Sequence, residues 1–284
     1  MRTAWSLAAR SCSPEEDVSL GTWGLGEATP RVPGYRLQHA IGTGRQGSVW
    51  LAQDLRSGAA TAVKMRAGDA SFEHEASVAA RASGPHVVQV LGHGHAAGLQ
   101  WMAMEYLPGG SLARHITGRL QSQAALAWVR QAARALAPLH RQQLVHRDVK
   151  PANFLLRADG TLVIADLGLV AEAGTVCASF DEGVLVGTPR YVAPEQLQGA
   201  PARPAADVYA LGVLLYEMLA GRPPFAGPSA LEVLAQHLVA PAPRLPQDCD
   251  SLQPLVDRML ARELNCRLPD ADAVLALLGQ KVLK

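Results

Sequence analysis

The sequence predicts an α+β chain of two unequal lobes, a small β-rich half followed by a larger, mostly helical half. Three observations carry this. From Tyr35 to about Tyr106, short apolar runs (SVWLA, TAVKM, VVQVLG, LQWMAMEYL) alternate with glycines, as strands and tight turns do. A single helical interval, SFEHEASVAARA at residues 71–82, interrupts them. After Pro108-Gly109-Gly110 the spacing changes, and Leu126, Val129, Ala133, Leu136 and Leu139 share one face of a helix. The elements follow in order. Residues 1–33 hold Ser, Pro, Gly and Glu without sustained periodicity and read as a flexible arm. Residues 34–106 form the small lobe and 107–284 the large one, together a single domain. Within the large lobe two strand signals, NFLLR and TLVIADL, precede a loop containing Gly and Thr. Helical patterns resume near residue 204, broken by GRPPFAGP and APAPRLP. No internal repeat is present.

Composition narrows the function classes. The chain is 49% apolar and 18% charged, which excludes a disordered polymer, and its net charge of +1 provides no bulk basic field for nucleic acid. Cys12, Cys177, Cys249 and Cys266 are too scattered for a disulfide framework and form no CxxC pair, so a reducing, cytoplasmic setting is expected. No stretch reaches the length of a membrane helix: the apolar run at 208–220 is short and contains Tyr209, Gly212 and Glu217, which marks a buried helix. Residues 1–17 break at Arg10, too early for a secretory leader.

Chemistry-bearing residues are concentrated in three places. IGTGRQGSV puts Gly42, Gly44 and Gly47 in a GxGxxGxV pattern between two strands, where bare backbone can approach phosphates. A strand follows the glycines where a dinucleotide fold needs a helix, so that alternative fails. Lys64, one of four lysines among 26 basic residues, lies on the next strand with Ala62 on the same face. A buried ammonium there needs a carboxylate partner, and Glu73 and Glu75 are available. Finally, LVHRDVKPANFLL places Asp148, Lys150 and Asn153 within six residues, and Asp166 follows thirteen beyond Asn153. In such a set an Asp accepts the proton of an attacking hydroxyl, a Lys neutralises a transferring phosphoryl, and Asn and Asp oxygens ligate a hard divalent cation. His93 and His95 in GHGH are read as a turn between strands and not as metal ligands, and Cys177 as a spectator thiol.

Together these motifs resemble the eukaryotic-type (Hanks-type) serine/threonine protein kinases, most closely their bacterial members, over residues 34–280. The resemblance implies the bilobal protein kinase-like fold, with a small antiparallel lobe carrying one helix, helix C. It implies ATP, a divalent metal (Mg²⁺ or Mn²⁺) held by Asn153 and Asp166, and protein Ser/Thr hydroxyls as acceptors. By the same resemblance the nucleotide would meet Ile41, Gly42, Thr43, Gly44, Gly47, Val49, Ala62, Lys64, Met104, Glu105, Leu107, Asn153, Leu155 and Asp166. Within that set Met104 is the gatekeeper, and the Glu105 carbonyl and Leu107 N–H face adenine. Glu75 matches the helix-C glutamate, because FEHE resembles F-x-x-E, and joins Lys64, Asp148 and Lys150 as a catalytic group.

Further along the chain, Arg147 and the pair Glu195 and Arg267 take structural roles, as does Asp207, which holds the catalytic-loop backbone. Thr175, Ser179 and Thr188 lie in the activation segment, the first two as phosphorylation candidates and Thr188 as a partner for Asp148 and Lys150. Three departures from the family pattern stand out. Only eleven positions separate Lys64 from Glu75, so either helix C loses its first turn or two or its connection to the strand is nearly absent, with Glu73 as a possible substitute for Glu75. Leu167 replaces Phe, and Ala79 is small where it should pack against Leu167. The alternative of a pseudokinase scaffold is set against the presence of Lys64, Asp148, Asn153 and Asp166. Oligomeric state is left open, and no nucleic-acid partner or membrane span is expected.

Overall fold

The computed structural model describes residues 30–44, 47–67, 72–96, 98–177, 180–181, 184–185 and 188–279. Most of the expected arm, residues 1–29, and Ser179 lie outside them. The small lobe is a five-stranded antiparallel sheet made of β1 (Tyr35–Gly44), β2 (Gly47–Asp54), β3 (Ala60–Ala67), β4 (Val90–Ala96) and β5 (Leu99–Glu105), in the order β1-β2-β3-β5-β4. A short helix, α1 (Glu73–Arg81), lies between β3 and β4 in the chain. Period-two alternation gives the sheet two different faces. Ala62, Met102 and Met104 join the main core on the cleft side, whereas Val63, Met65 and Ala103 pack on the outer side with Tyr35, Trp50 and Trp101. Val32, placed in the arm by its sequence, is buried in that outer cluster, and its carbonyl accepts the Tyr35 N–H at 3.1 Å. Structure therefore begins before residue 34.

The GHGH segment departs from its sequence reading. His93 and His95 lie on β4, paired with Met102 and Gln100, and not in a turn. Both histidines are exposed, and the glycines flank the Trp101 indole: a Cβ on Gly94 would lie 3.0 Å from that ring. Glycine serves here to make room on the strand, and its turn propensity is overridden by packing.

The large lobe is built on two long helices, α2 (Ser122–Arg141) and, after the one-turn α3 (Pro194–Leu197), α4 (Pro204–Ala220). All five positions assigned to the apolar face of α2 are buried. α4 is buried nearly all round, as a helix apolar on every side must be. It ends at Gly221, whose φ of +71° is the left-handed stop glycine adopts most readily. Around them stand α5 (Ala230–Val239), α6 (Gln253–Leu260) and α7 (Ala271–Gly279). No helix among the described residues is long and apolar enough to cross a membrane.

Short strand pairs position the site. β6 (Leu144–Val145) pairs with β9 (Ala171–Glu172), and β7 (Phe154–Leu156) with β8 (Leu162–Ile164). The loop at 146–153 is thus held at both ends, and Asp166 follows directly on β8. The lobes are also stitched by backbone: the Val88 N–H donates to the Ile164 carbonyl (3.0 Å), and the Ile164 N–H donates to the His86 carbonyl (2.8 Å).

Packing between α4 and α6 requires glycine at 212, where an added Cβ would lie 2.8 Å from Met259 Cβ. Gly212→Ala gains about 1 kcal/mol in helix propensity but overpacks a buried contact at about 1–3 kcal/mol. The expected net result is a lower Tm in thermal unfolding, and an unchanged or raised Tm would contradict the contact.

Candidate active site

Lys64 on β3 stands opposite Val49 of β2, facing the cleft as its strand parity dictates. Its Nζ lies 3.1 Å from both carboxylate oxygens of Glu75 and 2.8 Å from Asp166 Oδ1. The partner in α1 is therefore Glu75, which is buried, while Glu73 is exposed at the first position of the helix. Burial disfavours the Lys64 ammonium, but Glu75 and Asp166 outweigh that cost and hold its pKa above the usual lysine value. At Asp166 burial likewise opposes the charge, and Lys64 overcomes it, so the carboxyl stays below the usual carboxylate range. Asp166 adopts φ +58°, a left-handed conformation that is strained for a non-glycine residue. Leu167 beside it is fully buried, as is Ala79, both within the main core.

The second cluster is centred on Asp148. Lys150 Nζ donates to its Oδ2 at 2.6 Å, and the Thr188 hydroxyl donates to its Oδ1 at 3.1 Å. Lys150 also donates to Thr188 Oγ1 at 3.0 Å, closing a triangle. The Asn153 amide donates to the Asp148 carbonyl (2.8 Å) and to Oδ2 (3.1 Å), and its own Oδ1 meets no donor among the described residues.

A buried frame holds this loop. Arg147 has φ +70°, and the backbone N–H groups of His146 and Arg147 both donate to Asp207, at 2.7 and 2.8 Å. Below it, Arg267 grips Glu195 in a bidentate pair at 2.5 and 3.0 Å, also donates to the Ala205, Ala261 and Arg262 carbonyls, and lies over the Tyr209 ring. Gln196 donates to the Arg147 carbonyl at 3.1 Å, so α3 is tied to the same loop.

The glycine segment divides by role. Ile41, Gly42, Thr43 and Gly44 end β1, are exposed, and lead to Gly47 and Val49 on β2. A Cβ on Gly44 meets nothing within 4 Å, and one on Gly42 only Val49, so backbone there is bare. Gly47, with φ +120°, would drive a Cβ into the Met65 carbonyl, so its requirement is the close approach of β3. Ala62 pairs with Met104, both buried, and Leu107 is buried where the chain leaves β5; Leu155 on β7 packs against the core. Thr175 is exposed, with its backbone fixed by Glu172 and Ala202, and Arg147 donates to the Leu169 carbonyl at 3.4 Å.

Sequence reasoning missed several residues. Arg157 grips the Glu105 carboxylate bidentately (2.7 and 2.8 Å) and reaches the Pro85 carbonyl, so one side chain joins β7 to β5 and to the α1–β4 connection. His140 contacts Asp207 at 3.0 Å, and the Tyr191 hydroxyl donates to Glu217 at 2.5 Å. A lone Arg or Tyr in a loop carries no periodic signal. His140 was findable as a polar interruption on the apolar face of α2.

Comparison with known proteins agrees with this geometry. The family model described as protein kinase domain matches residues 35–276. The chain is 36% identical over 256 residues to the serine/threonine-protein kinase PknA of Corynebacterium glutamicum, covering 84% of this chain and 54% of that protein. It is 38% identical over 263 residues to PknA of Mycobacterium tuberculosis (86% and 61%), and 39% over 231 residues to the serine/threonine-protein kinase drp72 of Corynebacterium efficiens (75% and 44%). It thus spans about half the length of the curated relatives it matches. With the family's motifs folded into one cleft and its model matched across both lobes, the chain belongs to the protein kinase domain family.

Proposed function

We propose that this chain is an ATP-dependent serine/threonine protein kinase, with residues 34–284 as its catalytic domain and the cytoplasm as its setting. The observation that carries the reading is the Asp148–Lys150–Thr188 triangle in the same cleft as the Lys64–Glu75–Asp166 cluster. The Thr188 hydroxyl, which donates to Asp148 at 3.1 Å, supports this reading. All the groups that a pseudokinase would have lost are present, which disfavours the scaffold alternative.

In the proposed reaction the acceptor hydroxyl oxygen attacks the γ-phosphorus, the bond to the β-phosphate bridging oxygen breaks, and ADP leaves. Asp148 orients the hydroxyl and takes its proton. Lys150 offsets negative charge on the transferring phosphoryl, and Lys64, oriented by Glu75, holds the α- and β-phosphates. The bare backbone at Gly42 and Gly44 leaves room above the phosphates, and Ala62, Met104, Leu107 and Leu155 provide an apolar slot for adenine. A bound Mg²⁺ or Mn²⁺ would offset the negative charge of the phosphates. Asp166 and the Asn153 Oδ1 fit such an ion, because a hard cation of this kind takes few protein oxygens and completes its shell with phosphate and water. Among the described residues no larger cluster of His, Cys, Asp and Glu competes for it. Protein substrates are the proposed partners. Autophosphorylation at Thr175 or Ser179 is part of the same reading, with Arg147 as the phosphate's partner.

Transfer of label from radiolabelled ATP to protein Ser or Thr tests the proposal. Asp148→Asn is expected to lower it by about 10²–10⁴-fold while ATP–Mg²⁺ still raises the Tm. Lys64→Met, which leaves the Glu75 and Asp166 carboxylates facing each other, is expected to abolish both transfer and the ATP-induced rise. Transfer that persists in both variants would refute the assignment. A wild-type chain that ATP stabilises but that transfers no label would favour the scaffold.

A further inference from the structure

With α1 only nine residues long, the question is what holds Glu75 in place. Its N-terminal end is anchored to the sheet by Phe72, which is almost fully buried, with the Arg66 guanidinium 4.1 Å from its ring centroid. Within the small lobe α1 also packs on β4 and pairs Glu75 with Lys64; further contacts run to the other lobe. His74 and Arg81, seven residues apart and so on one face of the helix, both reach the segment that follows Gly168. The His74 Nε2 lies 2.8 Å from the Val170 carbonyl, and since a carbonyl only accepts, that nitrogen carries the proton. Arg81 pairs with Glu172 at 3.5 Å, and its carbonyl accepts the Gln142 side-chain amide at the end of α2.

The receiving segment is itself fixed residue by residue. Arg147 donates to the Leu169 carbonyl, Ala171 and Glu172 form β9 against β6, and the Ala173 N–H donates to the Gln143 carbonyl at 2.7 Å. β6 leads straight into His146 and Asp148. A continuous path of hydrogen bonds therefore runs from α1 through Val170 and β9–β6 to the catalytic loop, and none of its contacts involves residues 178–187.

We propose that His74 is a positioning residue: its hydrogen bond to Val170 seats α1 on the large lobe and so keeps Glu75 against Lys64. The inference rests on the kinase reading for its functional meaning, but its test does not need phosphotransfer. Hydrogen–deuterium exchange on the nucleotide-free full chain compares wild type, His74→Ala and His74→Gln. His74→Ala is expected to speed exchange of the α1 amides roughly 3- to 10-fold, the effect of losing one net hydrogen bond, while α4 is unchanged. His74→Gln, which keeps a side-chain N–H donor, is expected to restore protection. Equal α1 exchange in wild type and His74→Ala would overturn the proposal. So would parallel acceleration in α1 and α4, which is loss of global stability, or a failure of His74→Gln to rescue. A chain that shows the α1 effect but transfers no phosphate would sink the kinase reading and leave the positioning role standing.

Discussion

The catalytic loop depends on one buried carboxylate. Asp207 is fully inaccessible on α4, and its two oxygens accept the His146 N–H, the Arg147 N–H and the His140 ring. The Ala271 N–H donates to His140 Nδ1 at 3.0 Å, which fixes the ring proton on Nε2 and directs it at Asp207. The start of α7 thus sets the tautomer of a histidine on α2, which in turn completes the shell of an aspartate on α4. What this arrangement stabilises is the positive φ of Arg147, a conformation that costs about 1–3 kcal/mol on its own. Hydrogen bonds to a charged acceptor, at about 1.5–3 kcal/mol each, are enough to offset it. The direction in which Asp148 leaves the loop follows from that bend.

The second constraint is electrostatic. Lys64 is shared between Glu75 of α1 and Asp166 at the end of β8, so the pairing connects both lobes in one contact. Neither end is rigid by itself: α1 is short, and Asp166 is in a strained backbone conformation. The stitching around them supplies the rigidity, through the backbone bonds between His86–Val88 and Ile164 and through Arg157, which spans Glu105 and Pro85. Charge pairing then contributes orientation, and neighbouring backbone contacts keep the charges where they are.

Much of this was legible in the sequence, because the residues that carry chemistry follow one another along the chain. Asp148, Lys150 and Asn153 are within six positions, and Glu75 was favoured over Glu73 by the resemblance of FEHE to the family motif. The apolar period of α2 and the alternation of β3 were readable for the same reason: each is a local pattern with one dominant face. What escaped was long-range and aperiodic. Arg157 meets Glu105 across 52 positions, His140 meets Asp207 across 67, and His74 meets Val170 across 96. GHGH misled because glycine pairs signal turns in general, whereas Gly92 and Gly94 are small to admit Trp101. At Gly47 the structure adds a packing requirement, the close approach of β3, that the motif alone does not reveal.

If Asp207 sets the loop that delivers Asp148, the two residues act as one unit in phosphotransfer and not as independent contributors. The direct measurement is a double-mutant cycle of Asp207→Asn and Asp148→Asn, read as phosphotransfer rates in chains confirmed to be folded. The account predicts that Asp207→Asn alone lowers transfer by about ten- to a hundredfold, and that adding it to Asp148→Asn costs little more. Losses that multiply fully would contradict it, because Asp148 would then be positioned without the bend that Asp207 maintains.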